Sequence, residues 1–150
     1  MTAALEEKIQ ADLHDAMRAH DETRKSALRM LIAAVKNAAI DARKPLDDGG
    51  IVAVIQKQVK QRRESIVEFR KGGREDLVRK EEGEMIVLEA YLPAQAGRDE
   101  VEAAARRVIA ETGASGAREI GKVMPVLTKE FAGRADGRAI SEIVRELLGP

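Results

Sequence analysis

Leu5, Ile9, Leu13 and Met17 recur one helical turn apart at the start of the chain. Apolar residues at that interval form one face of an amphipathic helix, here over 3–19. The same period predicts a second helix over 22–42, with Leu28, Leu31, Ile32, Val35 and Ala39 turned inward. A third follows over 49–71, carried by Val52, Ile55, Val59, Ile66 and Phe69, and a fourth over 75–92, carried by Leu77, Met85 and Leu88. Further on, Val101, Ala104, Ala105, Val108 and Ile109 predict a fifth helix over 99–112. Ile120, Val123, Met124, Leu127 and Phe131 predict a sixth over 116–131, and Ile140, Ile143, Val144 and Leu147 a seventh over 137–148.

The punctuation agrees with the period. Lys44-Pro45-Leu46-Asp47-Asp48 breaks the second helix, since proline disfavours helical geometry just before it and aspartate caps the next start. Gly72-Gly73 ends the third. Gly113 and Gly133 suit left-handed helix closures, and Ser115 and Asp136 suit the caps that follow. Gly83 stands inside the fourth helix at a cost of about 1 kcal/mol relative to alanine. Pro125 removes the amide that would bond to Gly121, so a kink is expected in the sixth helix. Gly121 reads as a small residue permitting close helix approach. The strongest boundary is Tyr91-Leu92-Pro93-Ala94-Gln95-Ala96-Gly97. The expected fold is all-α: an antiparallel helical N-terminal domain, 1–93, followed by a small three-helix C-terminal domain, 94–150.

Composition narrows the chemistry. Apolar residues make up 44% but aromatics only 2%, so the core must be built from aliphatic side chains. Cysteine is absent, which removes disulfides and thiolate metal sites. No apolar run approaches the roughly 20 residues of a membrane span, and the acidic N-terminal stretch does not suit a secretory signal. The expected setting is the cytoplasm, with no membrane partner. The net charge is zero, yet 23–63 holds ten Lys and Arg against three acids. Such asymmetry marks an interaction face or basic helices beside acidic ones.

Gly116-Ala-Arg-Glu-Ile-Gly121-Lys122 fits the spacing of a phosphate loop, but Val123 stands where Ser or Thr must bind magnesium, and no strand precedes it. Lys57, Lys60, Arg62 and Arg63 with interleaved glutamines form the most basic local run. Such side chains contact phosphate backbones, and the absence of an interleaved aromatic argues against base stacking. Arg134 and Arg138 flank a helix start, where backbone amides favour a phosphate. His14 and His20 cannot share a metal, and Glu81, Glu82 and Glu84 read as a solvated face. No metal, no cofactor and no catalytic residues are expected.

In order and spacing, several segments together resemble the YqeY family, also called GatB/YqeY-domain proteins. They are Arg29 to Asn37, Gln61-Arg62-Arg63 through Glu68-Phe69, Gly73 to Leu77, Tyr91-Leu92-Pro93, Glu111 to Ser115, Gly121 to Met124 and Gly133 to Gly137. The resemblance covers almost the whole chain. It implies the two-domain helical fold above and kinship with the tail of the B subunit of the tRNA-dependent amidotransferase, a carbon–nitrogen ligase using glutamine. In those enzymes the tail helps to hold tRNA, while kinase and glutaminase sites lie elsewhere. The resemblance thus implies an accessory protein contacting tRNA, with amidotransferase or tRNA-synthetase components as partners and no catalytic site of its own. The candidate RNA-facing residues are Lys57, Lys60, Arg62, Arg63, Lys122, Arg134 and Arg138. The alternative is a helical protein–protein adaptor with no RNA role.

Overall fold

A computed structural model describes residues 3–150. Seven α-helices and one 3-10 turn appear, with no strand among the described residues. They are α1 (Ala4–Arg18), α2 (Glu22–Ala42), α3 (Asp48–Lys71), α4 (Glu75–Glu89), α5 (Arg98–Thr112), the turn Ala117–Glu119, α6 (Ile120–Glu130) and α7 (Gly137–Leu148). Two compact units result, Met1–Leu92 and Pro93–Pro150.

In the first unit α1 packs on α2, and α4 packs on α3 and α2. Ile9, Ala27, Leu28, Leu31, Val35, Ile51, Ile55, Val59 and Leu88 form its buried cluster. The corners follow from local chemistry. The Asp21 carboxylate accepts from the Arg24 amide at 3.1 Å and Asp47 from the Gly50 amide at 2.7 Å, each satisfying a donor that the first turn leaves orphaned. At the end of α2 the chain turns left-handed at Arg43 (φ 57°), and the Lys44 amide bonds back to the Ala39 carbonyl at 3.2 Å. Glycine is the usual residue there, since a side chain at positive φ crowds the backbone. Tyr91, beyond α4, docks part of its ring and donates its hydroxyl to Asp12 of α1 at 2.5 Å. Burial first, then this bond to the carboxylate, pushes the phenol well above its ordinary range.

The second unit has its own core of Val101, Ala105, Val108, Val123, Leu127, Phe131, Ile140 and Val144. Ion pairs tie its helices at the surface: Arg107 of α5 reaches Glu130 of α6 at 2.6 Å, and Arg98 of α5 pairs with Glu146 of α7. Asp136 caps α7 as expected, accepting from the Arg138 amide at 3.3 Å.

Several positions depart from the expectation. The fourth helix closes at Glu89 rather than Leu92, and Tyr91 lies in the turn beyond it. Met17 is 41% exposed, because Ala16, beside it, takes the buried position. The sixth helix is divided: Ser115 makes no cap, and a 3-10 turn precedes α6. Instead Glu119 reaches back, accepting from the Ser115 amide at 3.1 Å and from its hydroxyl at 3.2 Å. Gly121 has no neighbour that a Cβ would meet, so it mediates no close approach; at Gly83 a Cβ would lie 3.4 Å from Thr23 Cγ2, an ordinary contact distance.

Candidate nucleic-acid interface

The ten cations of 23–63 have two fates. Lys25 pairs with Glu22 at 3.5 Å, Arg62 pairs with two glutamates, and Arg24 is half-buried. Arg29, Lys36, Arg43, Lys44, Lys57, Lys60 and Arg63 are all exposed, and none has a carboxylate within ion-pair distance among the described residues. Elsewhere in the chain ten of sixteen Lys and Arg hold such a partner. Two of the three acids in the stretch are committed to backbone amides: Asp47 to Gly50, and Asp48 to Leu5 at 3.1 Å. Seven of the ten cations are therefore left without an ion pair among the described residues.

Arg62 departs from its expected place. It is only 5% exposed, on the face of α3 that carries Val59 and Ile66. One guanidinium nitrogen donates to Glu84 at 2.5 Å and Glu81 at 2.9 Å of α4, and another approaches the Met30 sulfur of α2 at 3.7 Å. Its Nε is buried with no partner. Arg62 thus faces no solvent and no phosphate, and Glu81 and Glu84 are not the solvated face expected of them; Glu84 is 2% exposed. The signal lay in the spacing, since position 62 falls three after Val59 and four before Ile66, inside the apolar stripe. Lys57, Lys60 and Arg63 do face solvent.

The tail candidates are engaged. Lys122 bonds Glu119, and that bond, with those from Ser115, holds the Glu119 carboxyl below its usual range. Arg138 lies 3.6 Å from Glu142. Arg134 is a fastening rather than a free charge. Its Nε donates to the Ala94 carbonyl at 2.9 Å, its terminal nitrogen to Glu100 at 2.8 Å, and its guanidinium sits 5.7 Å from the Phe131 ring centre. Its carbonyl accepts from the Ala96 amide at 2.9 Å. These bonds pin the Ala94–Gly97 segment to the corner after α6.

An open depression is lined by Ala3, Ala4 and the Pro45–Gly49 segment, and its carboxylates are the two aspartates already bonded to backbone amides. Among the described residues no three His, Asp or Glu side chains converge on a metal position. No helix there is long and apolar enough to cross a membrane.

A family model described as Yqey-like protein matches residues 6–148. The chain belongs to the YqeY family. Among curated YqeY-related proteins it is 46% identical over 99 residues to altered inheritance of mitochondria protein 41, mitochondrial, of Eremothecium gossypii, a match spanning 65% of this chain and 54% of that one. The protein of the same name from Pyrenophora tritici-repentis is 34% identical over 146 residues, 95% of this chain and 80% of the relative. That from Kluyveromyces lactis is 40% identical over 106 residues, covering 69% and 57%. The match therefore spans little more than half of the Eremothecium and Kluyveromyces proteins.

These names overturn the cytoplasmic setting expected from the sequence, because each is a mitochondrial protein by name. The expectation rested on acids near the N-terminus and on the lack of an apolar run. Neither feature distinguishes cytoplasm from mitochondrion.

Proposed function

We propose that this YqeY-family chain is an accessory protein that contacts tRNA through its phosphate backbone and works beside a tRNA-dependent amidotransferase, with no catalytic site of its own. In this reading its setting is mitochondrial, as the names of its relatives indicate. The observation that carries the reading is the set of seven exposed, unpaired cations on and just after α2 and on α3. An exposed cation next to a carboxylate must exchange partners before it can hold a phosphate, whereas these seven need not. The choice of tRNA as the polyanion rests on the resemblance to the amidotransferase B-subunit tail.

Lys57, Lys60 and Arg63 are the first contacts, with Lys122, Arg134 and Arg138 contributing only by releasing Glu119, Glu100 and Glu142. Because the whole protein is neutral, the affinity is modest and falls steeply with salt. The test is recovery of the tagged protein at low salt with its bound RNA. Enrichment of tRNA over the input RNA is expected. Recovery of amidotransferase subunits without RNA would replace the reading with the protein adaptor.

A further inference from the structure

Within the unpaired set, Arg29, Lys36 and Arg43 stand seven residues apart. Seven residues make nearly two turns, so Arg29 and Lys36 project from one side of α2 about 10.5 Å apart, from a rise of 1.5 Å per residue, and Arg43 follows at the same sequence interval, one residue past the end of the helix. Leu28, Leu31 and Val35 hold the buried side of the same helix. Arg43 keeps its side chain in the left-handed closing position, where glycine is the less strained choice.

The unit carrying this row offers no aromatic platform. Of the three aromatic residues in the chain, Tyr91 is tied to Asp12, Phe69 is half-buried and Phe131 belongs to the core of the other unit. Proteins that hold single strands generally stack bases on exposed rings. Exposed cations along one helix without such rings engage an RNA through its phosphates, and they engage most of them where charge density is highest and geometry fixed. Counterion release per phosphate is also larger for a duplex than for a single strand.

We infer that the Arg29–Lys36–Arg43 row docks on the phosphate backbone of a paired RNA stem rather than on an unpaired strand. This rests on the tRNA-contact reading above and specifies which part of such an RNA the first unit holds.

The experiment compares the full chain against a labelled RNA hairpin stem and a strand of equal length that cannot pair, each titrated at several salt concentrations. The wild type should bind the stem more tightly. The Arg29→Gln/Lys36→Gln/Arg43→Gln variant should bind it more weakly, with a logarithmic salt slope shallower by about 2.7, at about 0.9 per phosphate contact. An Arg29→Lys/Arg43→Lys variant should retain the slope, and both variants should melt near the wild type. An unpaired strand binding as tightly as the stem would overturn the inference while leaving RNA contact intact. So would a glutamine variant with an unchanged slope, or anionic lipid vesicles binding more tightly than the stem. Binding of neither RNA form at low salt would overturn both the inference and the function on which it rests.

Discussion

Arg62 of α3 and Glu84 of α4 share a 2.5 Å hydrogen bond out of solvent, and Glu81 closes the group at 2.9 Å. One guanidinium therefore faces two carboxylates at the meeting of three helices, with Met30 of α2 against its far side. Removing one partner of a buried pair leaves a charge without compensation, at a cost of about 3–5 kcal/mol. Arg62→Ala should lower stability by that order in urea unfolding. Arg62→Met with Glu81→Gln and Glu84→Leu, which removes the charges together, should recover most of it. A single Arg62→Ala variant as stable as wild type would show that the group is solvated and the packing different.

The fold was largely legible because the helical period marks all seven helices and corner chemistry marks several of the junctions between them. Asp47, Gly113 and Asp136 act in the roles their types suggest. The buried ionic group was not legible in the same way. Counting charges treats Arg62 as one more surface cation, and only its place in the Val59–Ile66 stripe distinguishes it. Arg134 escaped for another reason: its partners Ala94 and Glu100 lie 40 and 34 residues away, and no local pattern announces so distant a bond. Position within a compartment was beyond composition altogether.

Arg134→Ala should destabilise the second unit rather than leave it folded, as a solvated corner residue would. The variant loses the bond to the Ala94 carbonyl, the pair with Glu100 and the ring contact with Phe131. Individual hydrogen bonds contribute about 0.5–1.5 kcal/mol net, and a unit this small has little margin. Amide hydrogen exchange should show faster exchange at Ala96, whose amide bonds the Arg134 carbonyl. Unchanged exchange there would assign the anchoring to other residues.

Tyr91 sets an alkaline limit on stability. Its phenol is raised in the folded state by burial and by Asp12, so the unfolded chain loses that proton first as pH rises. Stability from this group is fully present below about pH 10, the ordinary tyrosine value, and declines as pH climbs above it. Tyr91→Phe should therefore flatten the alkaline limb of a plot of melting temperature against pH. Parallel limbs for the two proteins would remove the Asp12 bond from the account.

Gly83 is a site for gain. A Cβ there would meet only Thr23 Cγ2, at ordinary contact distance. Alanine is better than glycine inside a helix by about 1 kcal/mol, so Gly83→Ala should raise stability by up to that amount. A lower melting temperature would mean that α4 and α2 need the closer approach.

The claim that the unpaired cations hold tRNA is tested most directly by titrating labelled tRNA against the wild type and the Lys57→Gln/Lys60→Gln/Arg63→Gln variant at two or more salt concentrations. These three side chains are exposed, pair with no carboxylate and support no packing in the core, so the variant should fold and melt like the wild type. The account predicts weaker binding by the variant and a logarithmic salt slope reduced by about 0.9 for each phosphate contact removed. Equal affinity and equal slope for the two proteins, or no binding by the wild type at low salt, would contradict it.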